Sequence, residues 1–186
     1  MKKRLFVDMD GTLAVFHPVN RIETLYQRGY FLNLEPISGV LAAVKQIVRQ
    51  NPKIEVNILS AYLSDSHYSY TEKMAWLNKY LPEVENDRRV LVPIGCDKRA
   101  AVKGGLQSGD FLLDDYTKNL ASWEPTQGIK LLNGINHTRG TWQGNRIRYD
   151  KPPNVLARDI ARIVELGETV RDDKPKNQNR ERGYAR

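Results

Sequence analysis

Arg4-Leu5-Phe6-Val7-Asp8-Met9-Asp10-Gly11-Thr12-Leu13 is the stretch on which the fold turns. Leu5, Phe6 and Val7 form an apolar run too short for a helix and flanked by charge, which reads as a buried parallel strand. Two carboxylates follow at alternate positions, then Gly-Thr. In an open α/β sheet, ligands sit in the crevice beyond the carboxyl ends of the strands. Asp8 therefore stands at that end, with Asp10 on the loop beside it. Gly11 allows a tight turn whose main-chain N–H groups can face an anion. Two like charges this close are costly without a cation between them or a shared proton. A divalent metal and a phosphate account for both features. A strand ending in a polar turn, its aspartates capping a helix, is the plainer alternative.

Outward from this stretch, strands alternate with helices. A short helical candidate covers Arg21 to Arg28 and stops at Gly29. Pro36 marks a helix start, with Val40, Leu41, Val44, Ile47 and Val48 spaced along one face. Ile54 to Leu59 reads as a second strand, ending at Ser60-Ala61-Tyr62. A second amphipathic helix carries Met74, Trp76, Leu77 and Leu81. Val90 to Ile94 is a third strand leading to Asp97-Lys98, and Phe111-Leu112-Leu113 a fourth, ending in Asp114-Asp115. Ile129 to Leu132 makes a fifth. A polar loop follows through Asn136, His137, Gly140, Trp142 and Gly144, and the last helix starts near Pro152-Pro153. The alternation predicts a mainly parallel sheet covered on both faces.

Four strand ends thus supply groups suited to one phosphate site. A serine hydroxyl (Ser60) donates to a phosphoryl oxygen without adding charge. A lysine (Lys98) neutralises phosphate and transition-state charge. Hard carboxylate oxygens suit Mg²⁺, which favours one or two carboxylates plus substrate phosphate. Singly, each has a bland reading as a turn residue, a solvated charge or a helix cap. Their joint order and spacing carry the weight.

Asp8-Met9-Asp10-Gly11-Thr12, with Ser60, Lys98 and Asp114-Asp115, resembles the motif set of the haloacid dehalogenase-like (HAD) hydrolases. Asn33 to Val40, Thr71 to Leu77, Asp97-Lys98 and Leu112 to Asp115 resemble the 5′(3′)-deoxyribonucleotidase branch, the pyrimidine-type, cytosolic type C group. The resemblance implies a three-layer α/β/α, Rossmann-like HAD fold. It implies Asp8 as nucleophile forming an aspartyl-phosphate, and Asp10 as general acid/base. Gly11, Ser60, Ala61 and Lys98 would hold phosphate, and Asp8, Asp10 (through its carbonyl), Asp114 and Asp115 would hold Mg²⁺. Of the last pair, Asp114 is the expected direct ligand. That branch carries a helical cap after the first motif, which is much reduced here to about residues 13–33. Phe16, His17, Tyr26, Tyr30 and Tyr62 are the aromatic candidates for stacking on a base.

Length and composition fit one such domain, residues 1–167, and 27% charged residues read as a globular chain. No stretch approaches the roughly 18 apolar residues of a membrane span, and the N-terminus lacks the pattern of a secretory signal. A lone cysteine, Cys96, forms no internal disulfide and is expected to be buried and inert; a cytoplasmic location is the default. Much of the formal charge of +7 is peripheral. Residues 168–186, rich in Arg and Lys with almost no apolar residues, read as a basic, disordered tail. The expected function is a Mg²⁺-dependent 5′-nucleotidase-like phosphomonoesterase acting on (deoxy)nucleoside monophosphates. Its partner is a small phosphomonoester rather than a membrane, nucleic acid is open to it only through the tail, and the oligomeric state is undetermined. The alternatives are a HAD phosphatase for nucleic-acid ends or sugar phosphates, and a non-catalytic binding protein on the same fold.

Overall fold

The computed structural model describes residues 2–123, 127–135 and 142–173. Six strands form one sheet: β1 (Lys3–Val7), β2 (Ile54–Tyr62), β3 (Arg89–Pro93), β4 (Phe111–Asp114), β5 (Gly128–Leu132) and β6 (Asn145–Arg148). Their order is β3-β2-β1-β4-β5-β6, and every pairing is parallel. The chain winds outward from β1 through β2 to β3, then crosses back to β4 on the other side of β1. The order reverses between β1 and β4, where a parallel sheet opens a crevice at its carboxyl end. Asp8 N donates to Leu113 O across that junction at 3.0 Å.

Side-chain alternation divides the core. Leu5 and Val7, with Ile54, Val56, Ile58, Phe111, Leu113, Ile129, Leu131 and Ile147, face one side. There they meet α1 (Ser38–Gln50), α2 (Ser69–Tyr80) and α4 (Pro153–Leu166). Phe6, Leu59, Val92 and Leu112 face the other side, against Leu120 of the short α3 (Thr117–Ala121), Val102, Trp123 and Trp142. The molecule is therefore three-layered, with one thick helical layer and one thin layer in which two indoles supply much of the cover. Gly128 makes room for this: a Cβ there would lie 2.5 Å from the Trp142 ring.

Three expectations need correction. Asn145–Arg148, which follows the predicted polar loop, is the sixth strand. Only Ile147 in it is apolar, so it carries no sequence signal, and the alternation of buried and half-buried residues suits a strand near the sheet edge. The expected tail does not begin at 168. Val170 and Asp172 bond to Arg146 on both sides (Arg146 N to Val170 O, 2.7 Å; Asp172 N to Arg146 O, 3.0 Å), and Val170 packs on the core. Backbone pairing supplies what hydrophobicity does not. Residues 174–186, and Asn136, His137 and Gly140 of the predicted loop, lie outside the described residues. Cys96 is exposed rather than buried, because it rides on the turn Pro93–Cys96 that leaves β3 (Cys96 N to Pro93 O, 3.1 Å). No described helix is long and apolar enough to cross a membrane.

Between Leu13 and Ile37 the chain makes a pinched excursion. Val15 N bonds Glu35 O (2.7 Å) and Ile37 N bonds Leu13 O (2.8 Å), closing its base. It contains a single 3₁₀ turn, Ile22–Tyr26. Both carboxylate oxygens of Glu72 on α2 accept from its backbone, at Gly29 N and Phe31 N. The segment forms a rim fastened to α2.

Candidate active site

β1 and β4 end side by side, and their carboxylates meet there. Asp8, Asp114 and Asp115 are buried, and each offers an oxygen such that the three lie within 4.8 Å of one another. Three hard, anionic donors this close and this buried are mutually repulsive unless a cation is shared among them. One cation is built in. Lys98 Nζ donates to Asp8 Oδ1 and to Asp114 Oδ2, both at 2.8 Å. It reaches them because Asp97 caps a 3₁₀ turn, Lys98–Ala101, by accepting from Arg99 N, which turns Lys98 inward. An ammonium carries three donors, and these two bonds leave one for a phosphate oxygen. Burial alone would lower the Lys98 pKa, but Asp8 and Asp114 more than offset it and hold the group above its ordinary range.

Asp114 is fixed by an Asx-type turn, with Tyr116 N donating to Oδ1 (2.7 Å) and Asn119 Nδ2 to Oδ2 (2.8 Å). Burial, reinforced by the Asp8 charge, pushes its carboxyl up to about 6 despite Lys98. Asp115 lies under the Asp10–Thr12 turn, and a Cβ on Gly11 would fall 2.3 Å from its Oδ2. Asn133, at the end of β5, donates to both Asp115 Oδ2 (2.9 Å) and Gly11 O (2.7 Å), sewing the two loops together. Lys130 Nζ holds the Asp115 carbonyl from beneath (2.7 Å).

Gly11 serves differently from the expectation. Its φ of +74° fits the left-handed region. Its N–H, however, donates to Ala14 O (2.8 Å), and Thr12 N donates to Met9 O, so the turn consumes the amide expected to face an anion. Two hydroxyls, by contrast, are unspent. Thr12 Oγ1, one residue on, and Ser60 Oγ, near the end of β2, are buried with no hydrogen-bond partner. Buried polar atoms are rarely left so, and an unsatisfied hydroxyl is free to donate to an anionic ligand. Ala61 contributes its carbonyl, which accepts from Lys73 Nζ.

Lys73 was not among the residues expected here. It lies on α2, is almost wholly buried, and donates to Asp10 Oδ2 as well as Ala61 O. Its signal was present in the sequence, since Lys73, Trp76 and Leu77 share the i, i+3, i+4 spacing of the core-facing stripe. A charge in that stripe demands a partner. Burial raises the Asp10 pKa, and Asp8 adds to this, while Lys73 pulls the other way.

The expected aromatic residues are dispersed. Tyr30 is near enough to Asp10 for that charge to add to burial in raising its phenol. Phe16 meets Tyr30 edge-on at 6.3 Å, and Phe31, not foreseen, meets it at 5.1 Å. Tyr62 packs on Tyr70, and Tyr26 bonds Asp65. His17 lines a cavity of about 600 Å³ together with Asn133, Ser38 and Tyr149.

A family model described as "5′ nucleotidase, deoxy (Pyrimidine), cytosolic type C protein" matches residues 18–170, a stretch holding Ser60, Lys73, Lys98, Asp114 and Asp115. Asp8 and Asp10 precede it. A human protein named "5′(3′)-deoxyribonucleotidase, cytosolic type" is 31% identical over 111 residues, covering 56% of this chain and 50% of that protein. A "putative 5′(3′)-deoxyribonucleotidase" of Vibrio phage KVP40 is 27% identical over 129 residues, covering 63% of this chain and 69% of that protein. The chain thus spans about half the length of the human relative.

Proposed function

The chain belongs to the 5′ nucleotidase, deoxy (pyrimidine), cytosolic type C family, within the HAD-like superfamily, and on that premise we propose that it hydrolyses phosphomonoesters of (deoxy)nucleosides. The observation that carries the reading is the buried Asp8–Asp114–Asp115 cluster, with Lys98 bonded to Asp8 and Asp114, together with the buried, unpartnered hydroxyls of Thr12 and Ser60. A divalent cation fits that donor set, which is all hard oxygen. Asp8, Asp114 and Asp115, with the Asp10 carbonyl, would hold it, and we take it to be Mg²⁺. When bound it screens the phosphate's charge from the attacking carboxylate.

The protein's own groups divide the work. An Asp8 carboxylate oxygen attacks phosphorus while the bond to the leaving oxygen breaks, giving an aspartyl-phosphate. The leaving oxygen takes a proton from Asp10. Asp10, now a carboxylate, accepts a proton from water as that water attacks phosphorus and releases Asp8. Lys98, Ser60 and Thr12 hold the phosphoryl oxygens.

The rim limits selectivity. It offers Tyr30 and Phe16 on one side and has a single 3₁₀ turn, so few contacts reach a nucleoside. Steady-state kinetics with Mg²⁺ across matched ribo- and deoxyribonucleoside monophosphates tests this. Turnover of mononucleotides should differ among bases by no more than about tenfold, or roughly 1.4 kcal/mol. Faster turnover of oligonucleotide ends or of sugar phosphates than of any mononucleotide would overturn the substrate assignment, and no phosphate release at all would overturn the reaction.

A further inference from the structure

Resting on that reading, we propose that Lys73 is the positioning residue of the acid–base step, selecting which carboxylate oxygen of Asp10 faces the leaving group.

The two oxygens of Asp10 are in unlike states. Oδ2 accepts from Lys73 Nζ, whereas Oδ1 is buried and has no partner. Rotation about the bond between Cβ and the carboxyl carbon would exchange them, because a carboxylate has no preferred oxygen of its own. Lys73 removes that freedom. Its Nζ is itself immobile, since it also donates to Ala61 O and lies 4.8 Å over the Phe31 ring. The neighbouring Glu72 seats that ring by accepting from Phe31 N. A buried ammonium held by a carboxylate, a carbonyl and an aromatic face does not wander, because any other position strands its charge. With Oδ2 anchored, Oδ1 is the oxygen left for the proton that the leaving oxygen receives.

A purely structural lysine would behave differently under one test. Proton delivery matters for an alkoxide leaving group such as the 5′-oxygen of a nucleoside, and little for p-nitrophenolate, which departs unaided. Charge balance, folding and phosphate binding affect both substrates alike. The measurement is kcat/KM, which reports events through leaving-group departure, for a nucleoside 5′-monophosphate and for p-nitrophenyl phosphate. Lys73→Met matches the side chain's length without its charge. Lys73→Leu, which equally lacks a donor, serves should the Met variant not fold.

In whichever variant folds, kcat/KM on the nucleotide should fall by at least about a hundredfold, the lower end of what a positioned acid contributes. On p-nitrophenyl phosphate it should fall by less than about tenfold. Equal losses on both substrates would overturn the positioning role while leaving the hydrolase reading intact. A wild-type protein inactive on both would overturn the hydrolase reading itself.

Discussion

Gly11 and Gly167 both adopt left-handed backbone, with φ of +74° and +68°, yet replacing them with alanine should have unlike consequences. A non-glycine residue in that region costs about 1–2 kcal/mol. At Gly167, where α4 ends, a Cβ meets nothing within 4 Å, so the conformational cost is the whole cost. At Gly11 the new Cβ would sit 2.3 Å from Asp115 Oδ2 and 2.6 Å from its carboxyl carbon, so Asp115 must move. Moving it breaks the 2.9 Å bond from Asn133, a hydrogen bond to a charged group worth about 1.5–3 kcal/mol. Gly11→Ala should therefore cost about 2.5–5 kcal/mol, against about 1–2 kcal/mol for Gly167→Ala. Urea denaturation of the cation-free variants measures the difference. Because the displaced group is a proposed ligand, Gly11→Ala should also weaken Mg²⁺ binding, seen by calorimetry, while Gly167→Ala should not. Equal stabilities and unchanged Mg²⁺ affinity in the two variants would refute the reasoning.

Asp8→Asn keeps the size of the side chain but removes the attacking charge, and turnover should fall by at least about three orders of magnitude with an unchanged circular dichroism spectrum. Deleting residues 174–186 should leave melting temperature and mononucleotide turnover as they are. Deleting from 168 should cost about 2–4 kcal/mol by urea denaturation, because it removes the bonds of Val170 and Asp172 to Asn145, Arg146 and Arg148. Mg²⁺ affinity should weaken as the pH falls through about 6: Asp114 is pushed up to about 6, so below that value a proton occupies a ligand the cation needs. Calorimetric titrations at successive pH values should show affinity rising up to that point and levelling above it.

How far the sequence was legible depended on what each element is made of. β1, β2, β4 and β5 announce themselves as apolar runs because both their faces are covered, and α1 and α4 as stripes because one face is. β6 could not be read, since Asn145, Arg146 and Arg148 flank a single isoleucine and its place is fixed by pairing with β5 and with residues 170–172. The site divided in the same way. Asp8, Lys98 and Asp114 lie at or just beyond strand ends, so their meeting was implied by the sheet. Asn133 also ends a strand, but an amide after Leu132 gives no hint that it will bridge Gly11 and Asp115. Lys73 lies on a helix more than sixty residues from Asp10, and only its place in the apolar stripe marked it. Gly11 was rightly a turn, but the destination of its N–H depended on Ala14, a residue with no polar side chain to signal it.

The central claim is that Asp8 becomes phosphorylated during turnover. Acid-quenching the enzyme in the steady state with a mononucleotide, then reducing with borohydride, converts an aspartyl-phosphate to homoserine. Trypsin, cutting after Arg4 and Arg21, places Asp8 and Asp10 in one peptide, Leu5–Arg21, whose fragmentation distinguishes the two positions. Homoserine at position 8, with Asp10 unchanged, is the predicted result. An unmodified Leu5–Arg21 peptide from enzyme trapped while actively releasing phosphate, or homoserine at position 10, would contradict it.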